Sequence, residues 1–156
     1  MDKITEIENL ANGNNSNINR LLELTHDIDE EIRFRAFEAF EYFAPTNEIL
    51  KRVREGLEDK DDLVSSTCVE LVGDWKDTQS TEYLYSAVFE ESEIIRSAAI
   101  TSLGQIARKD TVWFLKQKYM DLQGVDRASA AMALYSLGET EFLNELLSLF
   151  DNKDYR

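Results

Sequence analysis

The residues of this chain that could do chemistry are above all carboxylates. Asp27, Asp29, Glu30 and Glu31 stand together, Glu58, Asp59, Asp61 and Asp62 follow, and Glu90, Glu91 and Glu93 follow again. Carboxylates at such density could hold a divalent cation, work as acid and base, or attract a basic partner. A calcium loop fails on spacing. With Asp59 at its first position and Asp61 at its third, Leu63 falls at the fifth and Val64 at the sixth, where glycine must turn the chain. His26 is the single histidine, and with one cysteine, Cys68, it cannot assemble a zinc site. No nucleophile–base pair, glycine-rich phosphate loop or convergent carboxylate dyad can be argued from the spacings. A non-enzymatic protein with no cofactor is therefore expected.

Charge narrows the partner. Seventeen Lys and Arg against 31 Asp and Glu leave a formal net charge of −14. Nucleic acid and anionic lipid want the opposite sign, and the basic residues form no stripe, Lys51, Arg52 and Arg54 being followed at once by Glu55. A basic protein or peptide is the complementary partner. No apolar run approaches the ~18 residues of a membrane span. The first residues lack a secretory signal, and one cysteine suits a reducing compartment, so a cytoplasmic protein, monomeric when free, is expected.

The acids recur because the chain does. The segment from Asp29 to Phe43 returns from Asp61 to Trp75, from Ser92 to Ile106 and, more weakly, from Asp126 to Gly138. Aligning Ile32, Val64, Ile95 and Ser129 gives periods of 32, 31 and 34 residues. A unit this small cannot bury its apolar face alone, and a fixed period of this length marks stacked helical units. Each unit reads as a helix pair. First helices are expected over 17–26, 46–58, 78–90 and 109–122, and second helices over 29–44, 61–74, 92–107 and 126–138. A leading helix over 4–10 and a terminal one over 141–150 make ten. The organisation expected is a single all-α domain over 1–156: a leading helix within 1–11, a flexible loop over 12–17, repeats over 18–150 and a tail over 151–156.

Local signals fit that frame. Asp29, Asp61, Ser92 and Asp126 hold N-cap positions, Pro45 separates two helices, and Gly104 and Gly138 fall near helix ends. Ile32, Val64 and Ile95 form one buried row. Ala36, Cys68, Ala99 and Ala133 form a row of small residues, and Phe40, Val72, Leu103 and Leu137 a row of large ones. Phe43, Trp75 and Ile106 form a further row, and Phe89, Trp113 and Phe142 are assigned to the core. Cys68 reads as a packing residue. The recurring acids then line one edge of the stack. Two readings follow: acids serving helix N-termini, for which one per turn suffices, or an edge that docks a basic partner.

The repeated segment resembles the HEAT-like repeat of phycobilisome bilin lyases. The pattern of Asp, Val or Ile, Arg, Ala and Leu-Gly appears as Asp29, Ile32, Arg33, Ala36 and Phe40, and again as Ile95, Arg96, Ala99, Leu103 and Gly104. Ser65 and Ala130 stand where the second and fourth copies should carry Arg. The resemblance implies a right-handed α-solenoid of about four repeats, with the second helices lining the concave surface. On that face the expected row is Glu38, Glu70, Thr101 and Tyr135, flanked by Arg35, Tyr42, Thr67, Asp74, Gln105 and Glu139. Acids, hydroxyls and tyrosines suit a protein partner. Three functions remain open. One is a cytoplasmic binding module for a basic protein, such as a bacterial immunity protein inhibiting a toxin; the others are a lyase or lyase subunit for a bilin and a generic adaptor or scaffold.

Overall fold

The structure is a computed structural model and describes residues 2–151. Among these residues there are ten α-helices and no strand. α1 (Lys3–Leu10) leads. Four pairs follow: α2 (Ile18–Leu24) with α3 (Glu30–Glu38), α4 (Asn47–Gly56) with α5 (Asp62–Asp74), α6 (Thr81–Ala87) with α7 (Glu93–Ile106), and α8 (Lys109–Lys118) with α9 (Gly124–Ser136). α10 (Phe142–Asp151) closes the stack, and the rest of the expected tail lies outside the described residues. The stack of helix pairs expected from the periodicity is the observed architecture.

The second helices pack side by side as one layer, α3 on α5, α5 on α7 and α7 on α9, whereas the first helices touch one another sparingly. The stack therefore bends toward the second helices. Gly73 makes the closest approach possible, since a Cβ there would lie 2.4 Å from Ser102 Oγ on α7. Ser102 Oγ also donates to the Val69 carbonyl at 2.8 Å. Hydroxyl and glycine together hold α5 and α7 closer than two leucine faces would allow. α1 packs on α3, buries Ile7 and so extends this layer at its amino end. It is docked by Lys3 on Asp27 and by Arg20 on Glu6, at 2.7 and 3.1 Å. The segment before α2, 12–17, folds as a tight turn. Asn17 Nδ2 donates to the Leu10 carbonyl and to Asn12 Oδ1, both at 3.0 Å, while Gly13 supplies a positive φ of 74°.

The boundaries of α3 and α9 depart from the sequence reading. α3 stops at Glu38 and tightens into a 3-10 turn over Ala39–Tyr42 before Pro45. That winding eclipses residues three apart, and Phe37, Phe40 and Phe43 meet edge to face at 6.3 and 6.5 Å. Asp29 and Asp61 cap their helices, accepting from the Glu31 amide at 2.9 Å and the Leu63 and Val64 amides at 3.0 and 3.1 Å. Ser92 holds the N-cap position without a side-chain bond, and Asp126 is no cap: α9 begins at Gly124 and carries Asp126 inside its first turn. Gly104 lies in the last turn of α7, near the helix end as expected; a Cβ there would meet Ala133 Cβ at 2.8 Å, and Ala107 takes the left-handed position.

The fourth unit is in a different register from that read in the sequence. Ala130 and Leu134 are fully buried, whereas Ser129, Ala133 and Leu137 are only partly so. Ala99 and Leu103 therefore correspond to Ala130 and Leu134, a period of 31 rather than 34. The decoy was Leu137-Gly138, which imitates Leu103-Gly104. Gly138 sits at φ 93° beyond the helix, not inside it. The correction places Arg127 at the position of Arg33 and Arg96, so the fourth copy does carry its Arg. Phe89 and Trp113 are also exposed, contrary to expectation, while Phe142 is buried against Tyr119.

Candidate functional site

The turn edge divides into acids that hold the stack together and acids that do not. Asp59 accepts from Arg33 Nε and Nη2, both at 2.9 Å, and caps the Asp61 amide at 3.0 Å. Burial pushes its carboxyl up, but the Arg33 guanidinium and the amide outweigh this and hold it below the ordinary carboxylate range. Arg33 Nη1 completes the tie on the Asp27 and Ile28 carbonyls at 3.0 and 3.1 Å. Arg96 repeats the arrangement, with the Glu90 and Glu91 carbonyls at 2.9 and 2.7 Å and Asp126 at 2.6 Å. Where Ser65 replaces Arg, its hydroxyl and that of Tyr83 both donate to the Leu57 carbonyl at 2.6 Å. The departure at Ser65 thus changes the donor and keeps the tie. Asp27 is taken by Lys3, whose bond lowers its pKa, Glu31 by Arg35 at 2.8 Å, and Asp29 and Asp61 by capping. Glu30, Glu58, Asp62, Glu90, Glu91 and Glu93 remain, with no ion-pair partner among the described residues.

The inner face carries most of the expected row. Glu38 on α3 is half-buried, and Glu70 on α5 and Thr101 on α7 are exposed. The register of α9 makes Met132, 55% exposed, the fourth member in place of Tyr135. In the flanking row Asp74 accepts from Gln105 Nε2 at 2.6 Å, and Ser136 follows them rather than Glu139. Glu139 lies beyond α9 and pairs with Lys116 at 2.5 Å. Thr67 is buried, with its hydroxyl on the Leu63 carbonyl at 2.8 Å, so it presents nothing to a partner. Arg35 spans Glu31 and Glu38, at 2.8 and 3.3 Å. Tyr42 is exposed beside α1, whose Ile4 and Glu8 line a groove with Glu38 and Glu41.

This face is electrostatically unbalanced at its amino half. Glu70 and Asp74 are one turn apart on α5, and among the described residues neither has a Lys or Arg within ion-pair distance. Although the side chain is open to solvent, partial desolvation of its carboxyl, then the charges of Asp74 and Glu38, push Glu70 above its ordinary range. The carboxyl half, around Thr101, Gln105 and Met132, is neutral. Ile4, Glu8 and Glu41 escaped the sequence reading because the docking of α1 has no repeat signal, and Met132 escaped with the register. Cys68 is buried, and among the described residues no group of three His, Cys, Asp or Glu side chains is placed to hold a metal ion. No described helix is long and apolar enough to cross a membrane.

Paired helices stacked through a shared inner layer define an α-helical repeat protein. The sequence profile of HEAT repeats matches residues 49–134, more than half of the chain, and the protein belongs to that family. No curated protein matches it. Among solved structures, it is similar to a designed armadillo repeat protein in complex with the peptide (KR)4. The two are 16% identical, with a TM-score of 0.59, and the match covers 97% of this chain and 86% of that one. At that identity the likeness concerns the fold.

Proposed function

We propose that the protein is a binding module that acts without catalysis, and that the amino half of its inner face takes Lys and Arg side chains of a basic protein segment. The observation that carries this is the pair Glu70 and Asp74, one turn apart on the inner face with no Lys or Arg at ion-pair distance among the described residues. A ligand cation placed between the two would relieve a repulsion built into the free protein. The armadillo-type neighbour supports the reading, because its stacked helices are seen in complex with a peptide of alternating Lys and Arg. Tyr42 beside the cluster offers an exposed ring for the aliphatic stems or charge of such residues. A basic toxin neutralised by an immunity protein has the same chemistry and is the particular partner proposed.

The test is to titrate isotope-labelled protein with the (KR)4 octapeptide and follow backbone amide shifts. The amides of Glu38, Tyr42, Glu70 and Asp74 are expected to move together and saturate. Saturating shifts confined to the turn edge, or none at all, would overturn the reading.

A further inference from the structure

The turn edge has an apolar component that neither capping nor the inner face explains. Leu63, Ile94 and Val125 are each the second residue of their helices, α5, α7 and α9, and are 47%, 48% and 50% exposed. Phe89 and Met120 lie two residues past the ends of α6 and α8, and are 52% and 71% exposed. Both sets recur in register, so the stack repeats them along one edge. The corresponding earlier places hold Glu31 and Glu58, which shows that the fold itself does not require apolar side chains there. Phe89 and Val125 face a cleft of about 580 Å³ between the third and fourth turns, with Glu90 and Glu93 on its rim. Arg96 and Asp126 line it as well but satisfy each other at 2.6 Å.

We propose that this edge is a second docking surface, separate from the inner face, for an amphipathic basic helix of a partner protein. Its apolar side chains would enter the cleft between Phe89 and Val125 and run along Ile94 toward Leu63. Its Lys or Arg side chains would meet Glu90, Glu91 and Glu93, which have no ion-pair partner among the described residues. Charge selects this occupant over a second copy of the chain, which would set the same carboxylates, and a net charge of −14, against themselves. Spacing agrees: packed helices stand about 8–10 Å apart, and a helix of ~1.5 Å rise per residue returns an apolar side chain to one face every heptad, about 10 Å along.

The probe is a labelled three-heptad peptide with Leu on one helical face and Lys on the other, set beside a scramble of equal composition. Wild-type protein is expected to bind the amphipathic peptide clearly more tightly than the scramble. Ile94→Ser/Val125→Ser should weaken that binding about tenfold through lost apolar burial, with an unchanged melting temperature and unchanged binding of (KR)4. Phe89→Ser provides an independent variant on the opposite wall. Equal binding of peptide and scramble, no loss in the variants, or displacement of the peptide by (KR)4 would overturn the proposal. A wild-type dimer in sedimentation that the double variant dissolves would overturn it too, by assigning the edge to self-association. Because the inner face is read by (KR)4 alone, each surface can fail without the other.

Discussion

Asp59 and Asp62 are three residues apart on the same acidic edge, yet their removal should differ greatly. Asp59 is the anionic half of a two-bond pair with Arg33, and the two side chains are 10% and 7% exposed. Asp59→Ala leaves a guanidinium almost out of water, a change that costs about 3–5 kcal/mol when one partner of a buried pair is removed. Arg33 keeps the Asp27 and Ile28 carbonyls, which argues for the lower end, about 3 kcal/mol. Asp62 is exposed and unpaired, so Asp62→Ala should fall within about 0.5 kcal/mol of wild type. Urea unfolding at pH 7, followed by circular dichroism at 222 nm, measures both (the wavelength being about that of the helical band). Equal midpoints for the two variants would refute the division of the edge into structural and free acids. Arg33→Met/Asp59→Ala completes the cycle and should recover part of the loss, because no charge is then left stranded.

Other consequences follow from the same contacts. Glu70→Gln should stabilise the free protein at pH 7 by about 0.2–0.5 kcal/mol, the scale of one like-charge pair a turn apart. Its raised folded pKa makes Glu70 favourable to folding below the unfolded value of about 4.3, and that benefit is lost as pH rises through the folded pKa. The Gln variant's advantage should therefore vanish near pH 3, as melting curves at both pH values would show. Asp59 has the opposite sign: its lowered pKa contributes stability above about 3.9 that disappears as pH falls through the folded value. The acid-induced loss in an Asp59→Asn variant should accordingly be shallower than in wild type. Cys68→Leu should cost about 1–3 kcal/mol by overpacking, since Phe37 and Cys68 Sγ already leave no room for a Cβ at Gly56, whereas Cys68→Ala should be milder; calorimetry would separate them.

The sequence revealed the fold because the buried rows are fixed by helical period. Ile32, Val64 and Ile95, with Ala36, Cys68 and Ala99, are buried, and the first three units were placed within a few residues. It misread α9 because Leu137-Gly138 repeats a local signature whose glycine serves a left-handed turn here and helix packing in α7. The candidate surfaces were less legible. Asp59 and Asp62 look alike in sequence, and only Arg33, 26 residues from Asp59, tells them apart. Likewise the excess of acids at each turn resolves into capping, ion pairs and a free remainder of about half. Exposed apolar residues such as Phe89 carry no sequence mark that separates them from core.

In the proposed binding mode, Glu70 and Asp74 receive basic side chains. Its most direct measurement is the affinity of fluorescent (KR)4 for wild type and for Glu70→Gln/Asp74→Asn, by anisotropy at low and at physiological ionic strength. Each exposed charge contact is worth about 0.2–1 kcal/mol, so the double variant should bind about two- to thirtyfold more weakly. Salt should weaken the wild type more than the variant. Equal affinities for the two proteins, with equal salt dependence, would contradict the account.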